Sequence, residues 1–255
     1  MRNNKLFYKY YDHIYRNKDY IREIDEILRI YRCYSVRKLS SAIEIGCGTG
    51  AHSIELAGRG IDTLAVDIDK DILEIAKQKK LKSNKIQLRF ALKDISVYKS
   101  KKKYDMAFAL FNVVNYLITW KSMYGFFKGV NNALKPGAVF IFDCYNGAAV
   151  IQDPPQKKKV SLNYKGDLSI DLNLSPENDI LFQKGSLNYD IRINDNGRKY
   201  NIKHKIIHSF WTAGILKEIL GLCNFEVLLV SKWMDFRTKA GVKDWKIMFV
   251  CRKVR

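Results

Sequence analysis

Between Tyr8 and Tyr34 the apolar side chains Ile21, Ile24, Ile27, Leu28 and Tyr31 recur three and four positions apart with charges between them. That spacing predicts one amphipathic helix ahead of the core. Ala42-Ile-Glu-Ile45 is a short apolar run that breaks into glycines, and a helical pattern resumes from His52 to Arg59, giving a strand, a glycine-rich turn and a helix. Thr63 to Val66 predicts a second strand ending at Asp67, Lys70 to Lys80 a helix, and Ile86 to Phe90 a third strand. Tyr104 to Phe111 reads as a fully buried fourth strand, followed by an apolar segment to Tyr116 and a helix from Trp120 to Leu134. Pro136-Gly137 is turn punctuation, and Ala138 to Phe142 is a fifth strand ending at Asp143. Strands alternating with helices at these spacings make βαβ units and a mainly parallel sheet.

From Val160 to Ser209 the pattern changes to alternation, in Leu168 to Leu172, Ser186 to Ile193 and Tyr200 to Ile207, broken by Asn194-Asp-Asn-Gly197. These are antiparallel hairpin signals. A helix over Ala213 to Leu222 and strands near Glu226 to Val230 and Trp245 to Cys251 complete the chain. The reading is one α/β core built from 1–150 and 210–255, with an antiparallel insertion over 151–209.

Composition narrows this. The 255 residues suffice for one sizeable core. No apolar run of about 18 residues is present, and the start lacks a signal-peptide segment, so no membrane insertion and a cytoplasmic location are expected. Cys33, Cys47, Cys144, Cys223 and Cys251 are scattered and never paired as Cys-x-x-Cys, which suggests neither disulfides nor zinc. His204 and His208 share one strand face without a carboxylate or cysteine beside them, so no metal is assigned. The formal charge of +19 leaves open a solvated surface, an anionic small substrate and nucleic acid.

The turn Glu44-Ile-Gly-Cys-Gly-Thr-Gly50 places Gly46, Gly48 and Gly50 between a strand and a helix, where residues without Cβ let the backbone approach a ligand. An acid about 20 positions on, Asp67, can accept from both hydroxyls of a ribose. This geometry implies an adenosine-containing ligand at the strand carboxyl ends.

With Glu44 inside the loop and the glycines at Gly-x-Gly-x-Gly spacing, the chain resembles the class I S-adenosylmethionine-dependent methyltransferases, whose first motif is acidic-x-Gly-x-Gly-x-Gly. The resemblance implies a Rossmann-like, mainly parallel seven-stranded sheet with helices on both faces, and S-adenosyl-L-methionine as cofactor. It puts Asp67 on the ribose with Ile68 packing on adenine, Asp94 with Ile95 at the adenine edge, and Cys47 in the loop. Phe111-Asn112 falls where the family faces the methionine part, and Leu134 to Gly137 is also typical. Tyr10 to Tyr15 and Lys18-Asp-Tyr20 look like the N-terminal helix of sugar N-methyltransferases, which implies that Tyr11, Tyr15 and Tyr20 close over the sulfonium, a cation that aromatic faces attract.

Asp143 and His13 are the candidates for a general base, and Tyr145 and Asn146 for substrate contacts. Asp153-Pro-Pro-Gln156 is similar to the motif of nucleic-acid amino-methyltransferases but stands after the wrong strand and lacks its aromatic, so it reads as a rigid turn. The expected activity is methylation of N or O on a small molecule, an amino sugar or nucleotide-linked sugar among the candidates. An RNA methyltransferase and a catalytically inactive cofactor-binding partner protein are the alternatives. The resemblance implies that the insertion is a substrate lid or a homodimer contact.

Overall fold

The computed structural model describes residues 2–80, 87–99, 101–164 and 167–254. The stretch expected to be one N-terminal helix is three: α1 (Arg2–Lys9), α2 (Tyr11–Ile14) and α3 (Tyr20–Tyr34). The break comes where the Asp19 side chain accepts from Arg22 N–H at 2.9 Å and caps α3, starting a new helix.

Then follow β1 (Ser41–Ile45), α4 (Ala51–Gly58), β2 (Asp62–Asp67), α5 (Lys70–Lys80), β3 (Leu88–Leu92), β4 (Tyr104–Ala109), α6 (Trp120–Ala133), β5 (Leu134–Tyr145) and α7 (Gly147–Gln152). β3 runs two residues later than expected, and Ile86 lies outside the described residues. β4 stops at Ala109 because Phe111 and Asn112 take positive φ, 71° and 63°, which no strand accommodates. β5 begins before Pro136-Gly137, which it absorbs as an irregularity where its ladder with β4 shifts register.

The insertion is a separate four-stranded antiparallel sheet of β6 (Lys158–Tyr164), β7 (Leu168–Asp179), β8 (Lys184–Asp195) and β9 (Arg198–Ser209). Asn196 and Gly197, at φ 51° and 80°, supply the two-residue turn between β8 and β9. After α8 (Ala213–Leu222) the chain returns through β10 (Phe225–Lys232), β11 (Asp235–Lys239) and β12 (Lys246–Lys253).

The main sheet has the order β11-β10-β12-β5-β4-β1-β2-β3 and eight strands, one more than expected, because β11 pairs at the edge of β10. The run β5-β4-β1-β2-β3 is parallel, and the other three pairings are antiparallel. Apolar side chains of α6 and α8 cover one face, and those of α3 with Leu56 cover the other. This two-sided burial makes β1 and β4 buried at every position, as parallel strands require. A third cluster joins Phe7 and Tyr10 of the N-terminus to Leu162, Ile170, Tyr189 and Ile191 of the insertion.

α6 approaches the turn after β3 so closely that a Cβ on Gly129 would stand 1.9 Å from the Ile95 carbonyl oxygen. Backbone cannot yield as a side-chain tip can, so Gly129→Ala is expected to cost roughly 2–3 kcal/mol. For a chain of this size that is a fall in Tm of about 4–10 °C, read by thermal unfolding.

Candidate functional site at the strand carboxyl ends

The parallel strands deliver the β1 loop, Asp67, Asp94 and Phe111 to one edge of the sheet. Gly46, Gly48 and Gly50 all have positive φ, 70°, 54° and 78°. The loop is pressed against its walls, since a Cβ on Gly46 would stand 2.7 Å from Val113 and one on Gly50 2.6 Å from Phe90. At Gly48 the loop is open, with Ile72 at 3.7 Å its nearest neighbour. Gly48 N–H donates to Asp67 Oδ2 at 2.9 Å, and Asp69 N–H to Asp67 Oδ1 at 3.0 Å. Burial raises the Asp67 pKa although these backbone donors pull it down. Each Asp67 oxygen keeps a lone pair, as two ribose hydroxyls need. Ile68 is 75% exposed beside it. Asp94 is exposed, accepting from Ser96 N–H at 2.8 Å, and Lys93 N–H donates to the Asp67 carbonyl, so both acids share this edge.

The N-terminal segment closes over the loop. Tyr8 hydroxyl donates to Asp69 Oδ2 at 2.7 Å, and Thr49 hydroxyl to Asp12 Oδ1 at 2.8 Å. Tyr11 and Tyr15 pack 4.7 Å apart, and both meet Phe111 edge-on, at 6.4 and 5.0 Å. Tyr15 shares a 3.2 Å hydroxyl contact with Tyr189 of the insertion. Burial pushes the phenols of Tyr11, Tyr15, Tyr145 and Tyr189 upward. It also pushes Tyr116 to about 12, although half of that side chain is reachable from the groove. The pocket is therefore walled by neutral phenols and aromatic faces. Next to Phe111, Asn112 has a buried side-chain Oδ1 without a partner, an acceptor of the kind an ammonium group needs. Together with Gly48 and Asp67, these groups fit S-adenosylmethionine.

Several of the expected site residues have their polar groups engaged by other parts of the chain or stand apart from the loop. Asp143 is fully buried, accepts from Phe111 N–H at 3.0 Å and Asn112 N–H at 2.6 Å, and pairs with Lys246 at 2.5 Å. A carboxylate so occupied holds the Phe111–Asn112 turn in place. His13 is exposed and stands edge-on to Tyr164 at 5.1 Å, on the side of α2 away from Tyr11 and Tyr15, so it does not face the pocket. Asn146 engages its side chain within the chain, accepting from Ala148 N–H at 3.2 Å and donating to the Gly241 carbonyl at 3.0 Å. Ile95 and Cys47 are buried in apolar clusters, leaving only their backbones near the cleft. Tyr145 remains at the cleft, edge-on to His208 at 5.7 Å.

Glu44 is also buried and turned from the cleft, bound by Ser53 hydroxyl and, at 3.4 Å, by His52 Nδ1. His52 Nε2 meets Glu23 at 2.6 Å, and Lys18 meets Glu23 at 2.5 Å. Tyr20 lies edge-on to His52 at 4.8 Å, one layer behind the pocket. Nothing in the local sequence marks His52, Glu23 and Lys18 as one network, since 29 positions separate the first two. Burial works to lower the His52 pKa, but hydrogen bonds to Glu23 and Glu44 outweigh it and the net shift is upward. The stability this contributes is complete below the ordinary imidazole pKa of about 6.5 and is lost as pH rises through the higher folded value. His52→Gln is expected to cost about 2 kcal/mol at pH 6, roughly 4–8 °C in Tm, with the gap to wild type narrowing above neutrality. Thermal unfolding across pH checks this, and a gap independent of pH contradicts it.

Residues 42–137 match the family described as methyltransferase domain. A curated Bacillus subtilis (strain 168) protein that carries the name methyltransferase, YqeM, is 28% identical over 111 residues, which are 43% of this chain and 44% of YqeM. The matched region thus spans less than half the length of that relative. Among solved structures, an S-adenosylmethionine-dependent methyltransferase from Clostridium acetobutylicum ATCC 824 is similar at 20% identity, covering 99% of both chains with a TM-score of 0.83. The sugar N-methyltransferase KedS8 from Streptoalloteichus sp ATCC 53650 is similar at 14% identity, covering 96% of this chain and 93% of its own, with a TM-score of 0.77. Residues 42–137 thus match a methyltransferase-domain family, and the whole chain shares the fold of solved S-adenosylmethionine-dependent methyltransferases.

Proposed function

We propose that the protein binds S-adenosylmethionine through Gly48, Asp67 and Asp94 and transfers its methyl group to N or O of a small molecule. The observation that carries this is the Asp67 carboxylate keyed to Gly48 N–H at the one open point of the glycine loop, under the ring set of Tyr11, Tyr15 and Phe111. The bound cofactor supplies a methyl group on a sulfonium. The chain supplies alignment, aromatic faces for the cation and, with the insertion sheet closing the far side, exclusion of water.

Neither Asp143 nor His13 is placed to take a proton, which suits an acceptor amine that attacks with its own lone pair. The likeness to a sugar N-methyltransferase supports an amino sugar as that acceptor.

Calorimetric titration with S-adenosylhomocysteine tests the site. Asp67→Ala is expected to weaken binding by roughly 30-fold or more, about 2 kcal/mol, with Tm little changed. Full affinity in that variant contradicts the assignment. Amino sugars and RNA then serve as acceptor probes, and turnover on RNA that falls steeply with salt would replace the small-molecule reading.

A further inference from the structure

At the amino ends of the strands, the edge opposite the glycine loop, the segment between α3 and β1 and the turn between α4 and β2 border a cavity of about 530 Å³. Its apolar walls include Leu39 and Ile61, both half-buried against the cluster that α3 builds, and its rim carries the exposed side chains of Arg32, Arg37, Lys38 and Arg59. Such a volume suits a small molecule of about nucleotide size. Among the described residues, none that lines it is acidic.

Arg59 is already committed, to Asp25 at 2.9 Å and to Glu55 at 2.8 Å. Among the described residues, Arg32, Arg37 and Lys38 pair with no carboxylate. Carbonyls at a helix C-terminus attract cations, yet those of α3 and α4 have other donors. The Tyr31 carbonyl accepts from Ser35 N–H at 2.8 Å, that of Tyr34 from Arg252 at 3.3 Å, and those of Leu56 and Ala57 from Arg59 and Gly60 N–H at 3.1 and 3.0 Å. The Ser35 hydroxyl accepts from Arg37 N–H at 3.2 Å and folds the loop that brings Arg37 and Lys38 to the cavity. Three unpaired cations around one cavity repel one another, a cost that an arriving anion removes.

We propose that Arg32, Arg37 and Lys38 bind the phosphate group of a small phosphorylated ligand, with Leu39 and Ile61 as the wall for its body. Two of the three free cations are arginines, whose planar forks meet phosphate oxygens in pairs. The site is separate from the glycine loop, because the eight residues of α4 lie between them, roughly 12 Å of helix. It stands whether or not the cleft at the opposite strand ends binds S-adenosylmethionine. Free phosphate and a nucleotide carry the same recognised group, and the apolar wall distinguishes them.

Uridine monophosphate and inorganic phosphate are the probes, titrated by calorimetry into the full chain at physiological salt with S-adenosylhomocysteine present to occupy the opposite cleft. Uridine monophosphate is expected to bind saturably at a single site. In the double variant Arg32→Gln with Arg37→Gln its affinity is expected to fall about tenfold or more, and in Lys38→Gln alone about threefold. All three side chains are exposed, so thermal unfolding is expected to stay nearly unchanged. The control replaces Lys157, Lys158 and Lys159 by Gln, which removes more charge from the insertion and none from the cavity, and it is expected to keep full affinity. Inorganic phosphate bound as tightly as the nucleotide supports the site with free phosphate as its ligand, and tighter binding of the nucleotide supports it with a nucleotide. Equal weakening in the arginine variant and the lysine control would show diffuse surface attraction and overturn the proposal. So would unchanged affinity in the arginine variant, or the absence of saturable binding by both probes.

Discussion

Asp143 sits at zero exposure near the end of the central strand β5, and a charge in that position persists only if every lone pair is answered. The answers come from two directions. Lys246, at the start of the antiparallel strand β12, reaches across to it at 2.5 Å, and the backbone N–H groups of Phe111 and Asn112 turn toward it from the end of β4. Those two residues present adjacent N–H groups to one carboxylate while holding left-handed φ values, an arrangement that ends the strand and would be strained without such a partner. The Phe111 ring consequently stands beside Tyr15 at 5.0 Å, with Lys18 at 4.5 Å over its face. One buried carboxylate thus organises the strand end, the turn and the ring on which the pocket is built.

The second organising element is the N-terminal segment, which touches both sheets. On the main sheet it is tied through Tyr8 to Asp69 and Asp12 to Thr49, and on the insertion through Tyr10 to Asp195 at 2.7 Å and Tyr15 to Tyr189. Each polar tie is worth little where water can compete. Burial of Phe7 against the insertion provides the apolar contribution. The helices before residue 15 are short, so their place depends on these contacts more than on their own helical hydrogen bonds. The rings and carboxylates around the glycine loop thus come from three separate parts of the chain.

Behind the pocket, the Lys18, Glu23, His52 and Glu44 network ties α3 to the glycine loop and α4. Glu44 thereby fixes the loop on which Gly48 and Asp67 meet. A motif residue that looks like a ligand contact in the sequence is here an internal brace, because a carboxylate at the end of a fully buried strand must find its partners inside.

By itself the sequence determined what depends on short range. Alternation of period two gave three of the four insertion strands, β6 not being read from it, near-continuous apolar runs gave the buried parallel strands, and Gly46, Gly48, Gly50 and Asp67 sit where a strand-turn-helix unit must put them, since side-chain period and turn chemistry are local. Tyr11 and Tyr15, four positions apart in the sequence, share one helical side and meet Phe111 in the structure. Only the tertiary structure decided which polar groups are free. Asp143, Asn146 and Glu44 are all engaged by partners, Lys246 and Gly241 among the distant ones, while Asn112 Oδ1 is left unpartnered. Whether a carboxylate or imidazole can meet a ligand depends on which other groups have already claimed its lone pairs, and those groups are brought in by the packing of distant segments.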